Sequence, residues 1–249
     1  MAKTVAKTAA KTAAPHFTPE ALAFLRSLAR NNRREWFTPR KDRFDEILKA
    51  PMHAVILAIN DAMQSFAPDC IQPPQKSMMR IYRDTRFAAD KTPYKKHVAA
   101  WWSRAGLEKT SGGGFYFHLS PKELVVAAGV YMPQREQLLA IRTYLLDHHA
   151  ELRRHLQSRK LRSLMEEFDG LRLTRSPKGF PKDHPALDLL LCRQWGVAAT
   201  LPAEMALQPT LVQEIVSRFR AAAPVVELLN RPLVTRLSAQ TSLHKRSIF

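Results

Sequence analysis

Residues 80–97 read RIYRDTRFAADKTPYKKH and concentrate basic side chains around two acids, Asp84 and Asp90. The cations are Arg80, Arg83, Arg86, Lys91, Lys95 and Lys96. Arginine has a planar fork that suits bidentate contacts to phosphate or carboxylate, and lysine adds a point charge. The segment therefore predicts a pocket for an anionic group, with the two acids positioning the cations and Tyr94 adding a polar contact. The alternative is a structural loop in which both acids hold it together by internal salt bridges.

A second polar cluster, KGFPKDHP at residues 178–185, combines cations, an acid, a histidine and prolines. Asp183 could orient the His184 imidazole as a general base, with Asp84 as a further acid–base candidate. The alternative is that Asp183 only caps a short helix that begins at Pro185. An anion site becomes catalytic when an acid or base lies beside it. We therefore expect residues 178–185, including the ligand candidate Lys178, on the same side of the sheet as residues 80–97.

A β-hairpin is the clearest structural signal and carries two further candidate ligand contacts. Residues 115–119 and 124–130 are rich in β-forming side chains, and Ser-Pro-Lys-Glu between them has the length and chemistry of a turn. Strand alternation directs Tyr116 and His118 to the face opposite the apolar side chains. We expect these two residues to give polar contacts, although a single strand histidine is also commonly structural.

The sequence predicts neither a metal nor a cofactor. His148 and His149 are adjacent, so on a helix they point about 100° apart. Metal-ligand spacings such as HExxH and paired CxxC motifs are absent from the sequence, as are P-loop and nucleophile-elbow motifs. Cys70 and Cys192 have no partner spacing and are interpreted as reduced thiols, which fits a cytoplasmic location.

The charge of the whole chain widens the choice of partners. The 249 residues carry 39 Lys and Arg against 22 Asp and Glu, a formal net charge of +17. Such a field attracts anions, so the expected partners are an anionic or phosphorylated small molecule and, alternatively, nucleic acid bound without sequence preference. A third alternative is a structural or interaction protein with no ligand. No apolar run approaches the roughly 18 residues of a membrane-spanning helix.

The elements that must position these residues indicate an α+β fold with one domain. Helices are predicted from residue 18, with a break between Ala50 and Pro51. Strands are predicted at 78–83, at 97–103, in the hairpin and near 191–201. Helices follow the hairpin and close the domain near Leu229. This order predicts a mainly antiparallel sheet packed against N- and C-terminal helices. Residues 1–16, which repeat A-K-T, are predicted to be a disordered basic tail, 17–235 the domain, and 236–249 a frayed tail.

Four blocks of sequence together resemble domain-of-unknown-function family 2461, a family of conserved hypothetical proteins in bacteria and fungi. The blocks are FLRSLARNNRREWF at 24–37, the 80–97 segment, AAGVYMPQREQLLAIR at 127–142 and SPKGFPKDHP at 176–185. They come in the family's order, and the resemblance spans residue 17 to about residue 230. It implies no activity and no cofactor. Ala88 stands where the family pattern leads us to expect serine, which removes a hydroxyl donor from the segment.

Overall fold

The computed structural model describes residues 14–107, 110–167 and 170–246, with side chains as far as residue 235. Most of the tail predicted for residues 1–16, namely residues 1–13, lies outside the described residues. The chain enters the core at Phe17, which is fully buried and whose amide donates to the carbonyl of Ala206 at 2.9 Å.

The N-terminal part of the fold is helical. The first helix, α1, spans Pro19–Arg30, with Thr18 in the extended N-cap conformation and proline in the first turn. A longer helical run then comprises α2 (Arg34–Phe37), a 3₁₀ turn (Thr38–Arg40), α3 (Lys41–Phe44), a π-helical turn (Asp45–Lys49) and α4 (Ala50–Met63).

The predicted break between Ala50 and Pro51 is wrong. In the π-helical turn, the amide of Ala50 donates to the carbonyl of Asp45, five residues earlier. Pro51 falls in the first turn of α4. A proline is tolerated in the first turn because its missing N–H is not needed there. The chain therefore passes through Pro51 without leaving the helical run.

An extended connection leads from the helices to the sheet. It contains a 3₁₀ turn at Pro68–Cys70 and the short helix α5 at Pro74–Ser77. The strand predicted at 78–83 is not formed as such, because this stretch makes only isolated bridges, Met78 to Ala100 and Tyr82 to Tyr94. Its alternation is as expected, since Ile81 is buried while the residues on either side of it are exposed.

The sheet is antiparallel, with the strand order β1-β2-β3-β5-β4. Its strands are β1 (Val98–Ser103), β2 (Gly114–Leu119), β3 (Glu123–Val130), β4 (Glu166–Glu167) and β5 (Trp195–Pro202). The predicted hairpin is confirmed as β2 and β3. On β2, Phe115, Phe117 and Leu119 are buried on the core face, as the alternation predicts.

The remaining helical elements follow the hairpin, and the last of them packs on the sheet. They are α6 (Arg135–Leu156), α7 (Arg159–Arg162), α8 (Leu187–Leu191), a 3₁₀ turn (Ala203–Leu207) and α9 (Leu211–Arg246). Where the sequence predicts two closing helices and a tail frayed from residue 236, α9 is one helix that continues to Arg246 through Pro224 and Pro232. An internal proline removes one helical hydrogen bond, but packing of α9 on the sheet and on α4 and α6 supports it. Residues 247–249 lie outside the described residues.

The helix α9 contacts the sheet closely. Phe219 packs against Phe115 with 5.0 Å between ring centroids. The buried Asn230 side chain accepts a hydrogen bond from the amide of Gly113 at 2.7 Å and donates to its carbonyl at 3.1 Å. A Cβ atom at Gly113 would lie 3.1 Å from the carbonyl oxygen of Val226, so glycine permits this approach. One hydrophobic core joins both helical groups to the sheet, which confirms the predicted α+β class.

Candidate functional site

The basic segment 80–97 is an ordered excursion beside the outer strand β1. Just before it, the amide of Met79 donates to the carbonyl of Ala99 at 2.8 Å. Its two arms approach each other, and the amide of Arg83 donates to the carbonyl of Pro93 at 2.9 Å. Backbone hydrogen bonds therefore fix where the side chains of this segment point.

Tyr94 belongs to the core rather than to an open site. Its backbone amide donates to the side chain of Asn32 at 3.0 Å, and that side chain donates back to the Tyr94 carbonyl at 2.9 Å. Its ring is 3% exposed and lies 4.2 Å from the ring of Phe37. Asn32 follows α1, so this contact ties the excursion to the N-terminal helices.

Two of the predicted ligand-binding arginines are engaged inside the excursion. Arg83 forms a 2.6 Å salt bridge with Asp90 and donates to the hydroxyl of Thr92. Arg86 binds Asp84 through two nitrogens, at 3.1 and 2.8 Å. These contacts are the ones expected of a structural ion-pair loop.

Lys91 and the two acids complete that loop. The ammonium of Lys91 donates to the carbonyl of Thr85 at 3.0 Å. Hydrogen bonds from Arg86 lower the pKa of Asp84 to about 2. Hydrogen bonds from the Thr92 amide and from Arg83 lower the pKa of Asp90 to about 2. Asp84 is therefore ionised at neutral pH, which does not suit the general acid role.

Arg80 differs from these cations. It is exposed, and it makes neither a hydrogen bond nor a salt bridge to any residue that the structure describes. It lines two adjoining depressions, which also share Gln75, Met78, Met79 and Tyr82. We call the two together the basic groove. One part, the apolar lobe, has a volume of about 360 Å³, and the other, the cationic lobe, has a volume of about 530 Å³.

The basic groove has an excess of positive charge. Five cations and two acids line it, a net charge of +3 with histidine neutral. The cations are Lys41, Lys49, Lys76, Arg80 and Lys95, and the acids are Asp45 and Asp84. Of the cations predicted at 80–97, the groove contains Arg80 and Lys95, whereas Arg83, Arg86 and Lys91 are not among its lining residues.

One wall of the groove comes from the long helical run. Lys41 forms a 2.9 Å salt bridge with Asp45, and Lys49 lies 3.8 Å from the same carboxylate. The hydrogen bond from Lys41 is the main cause that lowers the pKa of Asp45. Burial, with Lys49 nearby, lowers the pKa of His53, so this imidazole is neutral at pH 7. Turns of the π type occur frequently at functional sites, and Asp45–Lys49 is one.

This wall is not among the sequence predictions, although its spacing is visible in the sequence. Lys41, Asp45, Lys49 and His53 recur every four residues, which is the spacing of side chains along one helical stripe. The predicted helix break at Pro51 would place His53 on a different helix from the other three residues. Once the run is continuous, all four residues lie along the groove.

The two hairpin candidates lie away from the groove. Tyr116 and His118 share the sheet face opposite the core, and neither lines the basic groove. The ring of His118 lies 4.8 Å from that of His97, and burial lowers the pKa of each histidine to about 4. Burial also raises the pKa of Tyr116 to about 12. These groups are neutral at pH 7 and add no charge for binding an anion.

The 178–185 cluster lies beside α6, where Arg153 donates to the carbonyl of Pro185 at 3.1 Å. Just before it, Arg172 bridges to Cys192, which precedes β5. The strands β2 and β3 lie between β5 and β1 in the sheet. No described contact joins this cluster to the excursion, and the expectation that the two lie on the same side of the sheet stays a prediction.

The side chains of this cluster have local contacts. Nδ1 of His184 accepts a hydrogen bond from the amide of Ala186 at 3.1 Å, and its ring lies 5.5 Å from that of His149. Asp183 and Lys178 are exposed. Asp183 does not cap α8, which begins at residue 187 after the N-cap residue Ala186. The expected Asp183–His184 pairing has no hydrogen bond among the described contacts.

Three general features of the described ranges concern metal binding, membrane spans and cysteines. No cluster of three or more His, Cys, Asp or Glu side chains in those ranges is arranged to hold a metal ion. Within the same ranges, no helix combines the length and apolar character needed to cross a bilayer. Both cysteines are buried and free.

Comparison with known proteins identifies a family. The profile of domain-of-unknown-function family 2461, described as a conserved hypothetical protein, matches residues 20–228. This range includes every part of the basic groove and all four sequence blocks that carry the resemblance. No curated protein matches the chain.

Proposed function

The chain belongs to domain-of-unknown-function family 2461, and we propose that within this family it binds a small ligand bearing a phosphate or carboxylate in the basic groove. The observation that carries the proposal is the state of Arg80. Its guanidinium is exposed in a concave site and makes no hydrogen bond or salt bridge among the described residues. A guanidinium in that state retains its donors for an anion.

The surroundings of Arg80 support the same function. Lys49 lies 3.8 Å from Asp45, which is also bound by Lys41 at 2.9 Å, so one carboxylate faces two ammonium groups. On the other side, Asp84 is already bound by Arg86 through two hydrogen bonds. Both acids of the groove are thus hydrogen-bonded to other cations, and the lining as a whole keeps its net charge of +3.

The size of the groove also suits a small ligand. Ligand clefts are commonly about 300–1,000 Å³ with few, well-placed polar groups. The lobes of about 360 and 530 Å³ fall within that range. The excursion that forms part of the rim is fixed by backbone hydrogen bonds to β1 and by Asn32, so the site is formed before a ligand arrives.

Titration with inorganic phosphate, followed by ¹⁵N NMR and calorimetry, tests the proposal. We expect Arg80→Ala to weaken phosphate binding roughly tenfold, since a hydrogen bond to a charged group contributes about 1.5–3 kcal/mol. Arg80→Lys should retain part of the affinity. The matched control is Arg175→Ala, which removes the same charge from an exposed position in the loop preceding residues 178–185.

Two results would oppose the proposal. If phosphate causes no shifts at Arg80, Lys49 or His53, the groove is not an anion site. If Arg80→Ala and Arg175→Ala weaken binding equally, only the net charge of the protein matters and the groove has no special role.

A further inference from the structure

The two lobes of the basic groove differ in chemistry. The apolar lobe has a floor of buried side chains, Phe37, Phe44 and Ile81, which are 2, 4 and 7% exposed. Each lobe also carries two lysines, Lys41 and Lys49 in the apolar lobe and Lys76 and Lys95 in the cationic lobe. Arg80 lines both lobes, so its guanidinium lies where the lobe with the apolar floor meets the other lobe.

An aromatic side chain lies at the same boundary. Tyr82 lines both lobes, and 48% of its surface is exposed. Its ring is held 6.5 Å from Phe37 and 5.4 Å from Tyr94, between ring centroids. One side of this ring is thus fixed by the core aromatic residues, while much of the ring remains open to a ligand.

Two methionines complete the surface. Met78 and Met79 line both lobes and are partly buried. Thioether side chains adapt to irregular ligands and contact aromatic rings favourably. A cavity of about 150 Å³ can bind benzene, so the apolar lobe of about 360 Å³ has room for a ring with a short substituent.

We propose that the ligand of the basic groove is an aryl anion, whose ring lies on Tyr82 in the apolar lobe and whose phosphate or carboxylate lies at Arg80. This inference rests on the proposed anion-binding function and specifies its ligand class. A purely inorganic or fully hydrophilic anion would leave the exposed part of Tyr82 and of the two methionines in contact with water. An aryl anion covers these side chains and places its charge at the boundary arginine.

Phenyl phosphate and methyl phosphate provide the test, because they share a phosphate monoester head and differ in the ring. We expect phenyl phosphate to bind the full chain roughly 10–100-fold more tightly, from the apolar area that the ring removes from water. Tyr82→Ala should remove most of that preference, because phenyl phosphate loses the ring on which its own ring lies and methyl phosphate does not. Met79→Ala is a second variant with a smaller expected loss, in case Tyr82→Ala fails to fold by circular dichroism.

The outcomes separate this inference from the function on which it rests. If neither ester binds at the groove, the anion-binding function fails. If both bind equally, that function stands and the aryl inference is overturned. A preference for phenyl phosphate that survives both Tyr82→Ala and Met79→Ala also overturns it, because the ring would then lie elsewhere.

Discussion

At the scale of single residues, the surroundings of a cation decide whether it can bind a ligand. Arg80 and Arg83 are three positions apart in the same segment. Arg83 is neutralised by Asp90 at 2.6 Å, whereas Arg80 makes no such contact among the described residues. Arg83 is close to Asp90 along the chain, and Arg86 is close to Asp84. Closing such short loops costs little conformational entropy. Local acids therefore fix the loop, and Arg80, which forms no salt bridge with a described acid, keeps its hydrogen-bond donors.

The ion-pair loop has a consequence in acid that can be measured. The Asp90 pKa is lowered from 3.8 to about 2, so its stabilising contacts are complete above pH 3.8 and are lost as the pH falls through 2. We expect a carboxyl titration near 2 by ¹³C NMR, with the Thr92 amide shifting in the same range. Arg83→Ala should raise the midpoint while the Thr92 contacts keep it below 3.8. A wild-type midpoint at 3.8 would show that the loop contacts do not form in solution.

At the scale of elements, β1 and β2 bring two neutral histidines together on the face opposite the core. His97 precedes β1 and His118 lies in β2, with 4.8 Å between ring centroids. Nδ1 of His118 is buried with no hydrogen-bond partner in the described part of the chain. Protonating either ring would place a cation beside the other in a half-buried site. This pair therefore makes strand packing sensitive to pH.

The sign of that sensitivity follows from the pKa shifts. Both histidines have pKa values lowered from 6.5 to about 4, because burial disfavours the charged form. The unfolded chain binds more protons between these values, so stability is complete above pH 6.5 and falls as the pH decreases towards 4. We expect the loss to be on the order of 2 kcal/mol per histidine.

Urea unfolding at pH 7 and pH 5 measures this effect. His118→Phe should show a smaller loss between the two pH values than the wild-type chain, because one shifted group is gone. His16→Phe, at a partly exposed position near the N-terminus and outside the sheet, should leave the wild-type loss unchanged. Equal losses in His118→Phe and wild type would contradict a neutral buried pair.

The same elements show what sequence can and cannot predict. The hairpin was predictable because strand alternation and a four-residue turn are local features, and β2 and β3 form as expected. The wall of the groove was not, because Pro51 suggested a helix end while the π-helical turn keeps Lys49 and His53 on one continuous run. Arg80 and Arg83 look alike in sequence, and the difference between them depends on a carboxylate seven residues away. Strand alternation predicts that Tyr82 is on the exposed face. It does not predict that Tyr82 lies between two lobes of a groove.

At the scale of the whole molecule, two kinds of anion binding compete. The net charge of +17 attracts any polyanion, whereas the groove offers a local net charge of +3. Base stacking through β1 is disfavoured, because Trp101 and Trp102 are both buried, at 6 and 0% exposure. Nucleic acid would therefore contact the general basic surface, with an affinity that falls steeply as salt increases.

Deleting residues 1–13 separates these two kinds of binding. The deletion removes Lys3, Lys7 and Lys11 and ends before Phe17, whose buried ring and hydrogen bond to Ala206 remain. We expect an unchanged melting temperature and unchanged phosphate affinity. The salt dependence of duplex DNA binding should become shallower by at most about 2.7 in log–log slope, because each lost phosphate contact contributes about 0.9. Arg80→Ala should behave in the opposite way, with weaker phosphate binding and a change in DNA slope of at most about 0.9. If Arg80→Ala instead abolishes DNA binding while the deletion has no effect on it, the groove is where nucleic acid binds, and the small-ligand proposal is wrong.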